Sequence, residues 1–441
     1  MSGFYFLCIE CGATFSLSEN IYRCPRCGDL LEIKVAVDEL KGRVDFEGLR
    51  RLPLSVWRYA PLLPIADRSK IVTLNEGGTG LHRCRRLGSL LGLEHLYVKN
   101  EGENPTGSFK DRGMTVGVTR ALEVGAKRVI CASTGNTAAS LAAYSAKAGL
   151  ETIVLIPSGK IAYGKLAQAI VYGARIVQIR GNFDEALKIV FEICSRNREI
   201  YLLNSINPFR IEGQKTLAYE VCDQLSRQPD YFIIPVGNAG NISAAWKGFT
   251  EYYELGQIEA RPKMVGVQAE GAAPIAEAVA KRRFTIEPVK KPETIATAIR
   301  IGMPVSWKKA LRAIYESEGT AITVSDEEIL EAQSLLARLE GLFVEPASAT
   351  PIAALKKLKE GGYLSRDDIV VCVATGHGLK DPDVVTRLYE KPVELEADVS
   401  SIERFLGLAE KEVASALLNP LVKLTGKAWV SENHCFSIFN F

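Results

Sequence analysis

The sequence lacks any long hydrophobic run. Its longest uncharged stretch, Val129 to Ala146, is studded with Ser, Thr, Asn and Gly and is too polar to span lipid. It also lacks an excess of charge of either sign, with 54 Lys and Arg against 52 Asp and Glu and a formal net charge of +2. That balance excludes a general affinity for polyanions, so no nucleic-acid partner is expected. Low-complexity tracts and solenoid-type repeats are missing as well. At 47% hydrophobic residues the chain carries enough apolar surface to offset chain entropy, which excludes extensive disorder. The opening residues MSGFYFLCIECG have neither a basic leader nor a cleavable apolar core, so no signal peptide and no membrane association are expected.

What is present is a chain of 441 residues, long enough for two to four units of about 100–200 residues each. Of its ten cysteines, four fall in two CxxC pairs before residue 28 and six are scattered. Scattered thiols in a long chain fit a reducing compartment, so a cytoplasmic setting is expected. The pairs Cys8-Ile9-Glu10-Cys11 and Cys24-Pro25-Arg26-Cys27 each precede a glycine, Gly12 or Gly28, that gives a tight turn its backbone freedom. Four soft thiolates suit a closed, structural zinc site. A segment this short cannot build its own core, and a metal staple explains how it folds.

From about residue 95 short apolar runs alternate with helical ones. Strands are read at RVICAS, ETIVLIP, RIVQIRG, YFIIPVG, KMVGVQAE and DIVVCVATG, and helices at TAASLAAYSAKAG, KLAQAIVYGA, LAYEVCDQL and SAAWKGFTEYYELG. This is an α/β pattern with parallel sheets covered on both faces, in which ligands bind at the carboxyl ends of strands.

Three strand-to-helix turns are unusual there. Gly237-Asn238-Ala239-Gly240-Asn241 brings backbone N–H groups together at a helix start, which makes an anion cradle without a basic side chain. Ser133-Thr134-Gly135-Asn136-Thr137 gathers polar groups able to hold a carboxylate or phosphate. Asn204-Ser205-Ile206-Asn207-Pro208-Phe209-Arg210 offers a further anion grip, with a bidentate arginine. Each has a plainer reading: a Gly/Asn turn, a helix cap by Ser133, Thr134 or Asn136, and a surface loop ending in a solvated arginine. Upstream, Asn104-Pro-Thr-Gly-Ser-Phe-Lys110-Asp-Arg112 leads from a turn into a helix with Lys110 in its first turn. An amine so placed beside Phe109 can have the lowered pKa that Schiff-base chemistry needs, against the plainer reading of a solvent lysine in a helix.

These residues resemble the pyridoxal-phosphate enzymes of the tryptophan synthase β-like family. Within it the chain is similar to the threonine synthases from about Val56 to about residue 407, most of all at Val56-Trp57-Arg58-Tyr59, Ile161–Gly181 with GNFDEAL, and Asn204–Val221. The resemblance implies a fold of two parallel-sheet αβα domains plus a small zinc ribbon. Its boundaries are 1–35 for the ribbon-like segment, 36–113 with 210–390 for the large cofactor domain, 114–209 for the small closing domain and 391–441 for a tail. It implies that Lys110 carries pyridoxal phosphate and that Gly237, Asn238, Ala239, Gly240 and Asn241 hold its phosphate. Asn136 would meet the phenolic oxygen and Thr375 the ring nitrogen, while Ser133, Thr134 and Thr137 receive the substrate carboxylate. Asn204, Ser205 and Arg210 would face the leaving phosphate of O-phosphohomoserine, and Cys8, Cys11, Cys24 and Cys27 would bind zinc. A homodimer is likewise implied.

The chain departs from the family at Gly80, where proline is usual and a looser loop is expected, and at Met303, where asparagine is common. The stretch LAEKEVASALLNPLVKL, at the start of the tail, has helical apolar spacing and is expected to pack on a partner subunit. Two other readings share the motifs: a synthase acting on O-phosphoserine, and a zinc-ribbon binding protein with a degenerate α/β scaffold.

Overall fold

Runs of β-branched and apolar residues become buried strands, and their order explains why the runs are continuous rather than alternating. In the computed structural model, which describes residues 3–158, 163–384 and 392–408, six strands form one sheet in the order Thr320–Val324, Lys263–Ala269, Tyr231–Pro235, Ile369–Ala374, His95–Asn100, Leu81–Arg83. All pair in parallel except the last two. Tyr231–Pro235 lies between two parallel neighbours, Ile233 facing Val265 on one side and Cys372 on the other, and every residue of it is buried. A second, all-parallel sheet has the order Arg175–Ile179, Glu151–Pro157, Arg128–Ala132, Ile200–Leu202. The α/β parallel-sheet architecture expected from the sequence is therefore present.

The helices follow their end signals. Asn136–Ala148 stops at Gly149, which adopts a left-handed conformation (φ 69°) open to glycine without strain. Asp326–Glu340 starts with a capping box in which Ser325 accepts from Glu328 N–H and Glu328 reaches back.

The first 35 residues contribute a three-stranded antiparallel sheet in the order Thr14–Ser16, Phe4–Cys8, Leu31–Val35. Its apolar side chains do not close on themselves: Phe6, Cys8, Leu17, Cys24, Leu31 and Ile33 share a cluster with Val56, Val116 and Phe209 of the body. A metal is thus not the segment's sole support.

One compact unit ends at Arg387 and a second begins at Leu388. In the second, the described element is the helix Val399–Leu406, capped by Asp398, which accepts from Ser401 N–H. LAEKEVASALLNPLVKL lies, from its second residue on, outside the described residues, as do Ile161 and Ala162.

Gly80 does not loosen its loop. Its N–H donates to Glu103 Oε2 at 2.6 Å, a bond proline could not make, and His82 Nε2 holds the same carboxylate at 2.7 Å. Met303 is half exposed.

Candidate active site

The turn after the strand Ile369–Ala374 and the helices Asn136–Ala148 and Pro208–Gln214 meet the helix Lys110–Glu123. Its sequence, KDRGMTVGVTR, carries two glycines that lower helix propensity by about 1 kcal/mol each. Packing accounts for them. A Cβ on Gly113 would sit 2.9 Å from the Arg210 carbonyl oxygen, and one on Gly117 would sit 2.5 Å from Leu203 Cδ2 and 3.5 Å from Arg210 Cγ. From the facing helix, Pro208–Gln214, a Cβ on Gly213 would lie 1.8 Å from the Arg112 carbonyl oxygen. Only glycines let the two helices cross this closely, and the crossing brings Arg210 within electrostatic reach of Lys110.

Lys110 lies on the helix's first residue with Nζ 4.0 Å from the centroid of the Phe109 ring. Burial and the charge of Arg210 push its amine down to about 7, and the carboxylate of Glu345 opposes them. Several bonds fix the turn before it. Phe109 N–H donates to Thr375 O at 3.0 Å, and His377 N–H donates to Gly107 O at 2.9 Å. Asp111 accepts from Thr106 N–H (2.7 Å), the Thr106 hydroxyl (2.6 Å) and the Ser140 hydroxyl (2.5 Å), so the lysine turn is tied to the helix Asn136–Ala148. Burial pushes the Asp111 carboxyl up to about 6 against these bonds.

Arg210 is not the solvated end of a surface loop. It is 2% exposed, and its Nε and Nη1 have no hydrogen-bond partner among the described residues. Burial lowers its pKa to about 10, opposed by the Cys131 thiol, and no carboxylate contributes. A buried guanidinium in that state is a prepared anion site. Its two companions differ. Asn204 turns its amide onto Ala132, accepting from the N–H and donating to the carbonyl, both at 2.9 Å; it pins the turn after the strand Arg128–Ala132. Ser205 is half-buried beside it.

At the Ser133–Thr137 turn no side chain caps the helix, which starts after Gly135. The capping alternative therefore does not describe this turn. Ser133 Oγ accepts from Gly135 N–H at 3.2 Å, Thr134 is exposed and Thr137 is half-buried. Asn136 Nδ2 donates to both Glu345 oxygens, at 3.2 and 3.1 Å.

The turn Gly237–Asn241 opens the helix Gly240–Glu254 with Ala239 in the left-handed region (φ 64°) and no side-chain cap. Asn238 braces it by accepting from Val305 N–H and, at its carbonyl, from Ser306 N–H. A Cβ on Gly237 would come within 3.0 Å of Ile299 Cα. Asn241 is buried, and both its Oδ1 and Nδ2 lack a partner among the described residues. Thr375 is buried with Oγ1 2.9 Å from Ser348 Oγ.

Sequence reasoning did not single out three of the residues assembled here. Glu345 has its carboxyl pKa raised by burial, while the Asn136 amide and the charges of Lys380 and Lys110 oppose that. Its only local sign is an acidic residue directly before the Pro346 that begins a helix. Lys380 donates to Thr106 O at 2.7 Å and also reaches Gln168 Oε1 on the helix Tyr163–Val171. Ser108, fully buried two residues before Lys110, has a hydroxyl without a partner among the described residues.

Among the described residues Asn241, Ser108 and Arg210 each bury polar atoms without partners. Ser108 lies two residues before the amine of lowered pKa, Arg210 acts on that amine electrostatically, and Asn241 ends the turn that opens a helix without a side-chain cap. That donor set fits an aldehyde cofactor with a phosphate tail and a second anion beside it. At the N-terminus, the sulfurs of Cys8, Cys11, Cys24 and Cys27 lie within 4.8 Å of one another. Gly12 and Gly28 are left-handed (φ 68° and 76°), and their N–H groups donate to the carbonyls of Cys8 and Cys24. Tetrahedral zinc at about 2.3 Å from each sulfur would space them about 3.8 Å apart, so the knot fits that ion.

Fold and site together define a lysine-based enzyme of the parallel α/β, pyridoxal-phosphate kind. A family model described as "Pyridoxal-phosphate dependent enzyme" matches residues 72–376. Threonine synthase of Methanocaldococcus jannaschii is 60% identical over 400 residues, 90% of this chain and 98% of that protein. Threonine synthase of Methanosarcina acetivorans is 54% identical, over 92% of this chain and all of that protein. The chain belongs to the pyridoxal-phosphate dependent enzymes and, among them, to the threonine synthase family. The fold is shared more widely: maize serine racemase superposes with a TM-score of 0.60 at 21% identity, over 70% of this chain and 91% of that one.

Proposed function

We propose that the protein converts O-phospho-L-homoserine and water to L-threonine and phosphate. The observation that carries this reading is Arg210, a buried guanidinium without a carboxylate partner among the described residues, whose charge acts on the active lysine. A dehydratase acting on free serine or threonine has no use for such a group. The 60% identity to a threonine synthase supports the same reading.

Lys110, Gly237–Asn241, Asn136 and Thr375 would hold pyridoxal phosphate, which when bound withdraws electrons from the substrate's α carbon. A hydroxyl such as that of Thr375 does not keep the ring nitrogen protonated as a carboxylate would, which suits chemistry at the β and γ carbons. Lys110 Nζ takes the α proton and serves the later proton transfers at the β and γ carbons. Arg210, with Ser205 beside it, holds the γ-phosphate and stabilises its charge as the C–O bond breaks. Ser133, Thr134 and Thr137 orient the carboxylate. Asn204 acts by fixing the turn, since its amide is engaged with Ala132. Water adds at the β carbon, and protons returned at the α and γ carbons complete threonine.

In this reading the segment 114–209 is the small closing domain, set against 36–113 with 210–390, a ribbon at 1–35 and a tail at 391–441. The strands of the second sheet, all between Arg128 and Leu202, support that division. The four cysteines hold a structural zinc; Cys24→Ser releases it and disturbs the first 35 residues more than the chemistry. A cytoplasmic homodimer completes the reading. None of the nine described cysteines is in a disulfide, and no described helix is long and apolar enough to cross a membrane.

The test is a substrate comparison on cofactor-loaded protein, with phosphate release and amino-acid product as readouts. O-phospho-L-homoserine should yield threonine and phosphate in equal amounts. Turnover of O-phospho-L-serine alone, with or without sulfite, would overturn the reading.

A further inference from the structure

The N-terminal knot touches the body next to Arg210. Phe6 packs edge-on against Phe209 with ring centroids 6.0 Å apart, and both side chains are buried. Arg120 lies over the same Phe209 ring at 5.0 Å while its Nη2 donates to Leu17 O at 2.6 Å. Phe209 is the residue before Arg210.

A second route runs through the backbone. Leu202 N–H donates to the Tyr22 hydroxyl at 3.0 Å, and Leu202 O accepts from Asn207 Nδ2 at 2.7 Å. Asn207 Oδ1 in turn accepts from Phe209 N–H at 2.9 Å, which caps the Arg210 helix.

The knot itself is anchored on the other side of the body. Lys308 binds Glu10, between the first two cysteines, at 2.6 Å and also binds Asp29, two residues after the last cysteine. Lys309 donates to Leu31 O at 2.9 Å, Lys247 to Ile33 O at 2.7 Å, and Arg312 pairs with Glu32 at 2.6 Å. Phe6, Phe209 and Arg120 on the first side and Lys309 and Glu32 on the second are buried, and there a displacement is passed on because close-packed side chains have no slack, whereas the Lys308–Glu10 pair lies at the surface.

We infer that the cysteine knot is the back wall of the substrate-phosphate site, and that Phe6 and Arg120 are positioning residues that fix Arg210 by holding Phe209. The inference rests on the reading of Arg210 as the phosphate ligand. It gives the four cysteines a purpose beyond local folding: with the knot closed, the Phe6 strand and the Tyr22 loop keep one position, and Arg210 needs no carboxylate to hold it.

Calorimetric titration of cofactor-loaded protein with inorganic phosphate tests this, with the visible absorbance of the bound cofactor as control. Phe6→Ala should weaken phosphate binding about five-fold, Arg120→Met about three-fold and Phe6→Leu less than either, with the absorbance unchanged. Should Phe6→Ala not fold, Phe6→Leu and Arg120→Met decide by the same criterion. Arg210→Gln separates the two levels of argument. If it leaves phosphate affinity intact, the phosphate-site reading fails. If it weakens binding while the Phe6 and Arg120 variants lower only the melting temperature, the inference alone is overturned.

Discussion

Arg112 and Arg210 sit on two helices that touch, both buried, and their surroundings are opposite. Arg112 forks onto Glu101 through Nε (2.6 Å) and Nη2 (2.7 Å), and onto Glu220 through Nη1 (2.7 Å) and Nη2 (2.8 Å). Lys99 adds a second cation on Glu220 at 2.9 Å, so two positive charges meet two negative ones. Those carboxylates hold the Arg112 guanidinium well above its usual range, and Arg112 and Lys99 push the Glu220 carboxyl far down. Arg210 has no such partner among the described residues, and burial lowers its pKa. The contrast teaches how to separate scaffold from site in one core: a charge whose partners are all present holds the fold, and a charge left waiting marks a ligand. Lys110 and Asn241 stand on the waiting side with Arg210.

Variants that cross this divide should fail in different ways. The largest effect belongs to Lys110→Ala, which should cut turnover by at least about 1,000-fold and abolish the cofactor's visible band. Its melting temperature should stay near the parent's; a large fall would move Lys110 to the scaffold side. Arg112→Met strands two buried carboxylates and should cost about 3–5 kcal/mol of stability in urea unfolding. Arg210→Met removes a cation that lacks a partner, so its stability should fall by less than about 1 kcal/mol or rise. The same variant should raise KM for phosphohomoserine by about 10- to 100-fold.

The smaller effects concern pH. The Lys110 amine titrates at about 7 in the folded protein, below an unfolded lysine. The unfolded chain therefore binds the extra proton between pH 7 and about 10.4. In the cofactor-free protein this group makes stability rise with pH across that window, and Lys110→Met should flatten the rise. Cofactor loading needs the neutral amine, so its rate should climb with a midpoint near pH 7; a midpoint near 10 would contradict the burial of Lys110. The Glu345 charge raises the lysine's pKa. Glu345→Gln should therefore move that midpoint to lower pH, the slightest of these effects.

Much of this was legible in the chain. Continuous apolar runs such as Tyr231–Pro235 read as central strands because burial on both faces leaves no polar alternation to confuse them. The turns after them read as sites because small and polar residues follow apolar strands there. Pairings between distant segments leave no local trace. Asn136 meets Glu345 across more than 200 residues of chain, and nothing near either predicts it. The same holds for Asn204, whose polar side chain in a polar turn reads as a ligand group while its amide pairs with the Ala132 backbone. Gly113 and Gly117 were readable as poor helix residues, but the crossing that needs them is a tertiary fact. Phe6 carries no sign of its role, because an aromatic in a strand belongs in any core.

The most direct test is the thermal stability of cofactor-loaded protein, in which the Gly237–Asn241 turn is already taken, with and without inorganic phosphate. A ligand that binds only the folded state raises stability by RT ln(1 + [L]/Kd). The parent protein should melt higher in phosphate, Arg112→Met should melt lower overall but keep the phosphate-induced rise, and Arg210→Met should lose the rise while starting near the parent. An undiminished phosphate response in Arg210→Met would contradict the account.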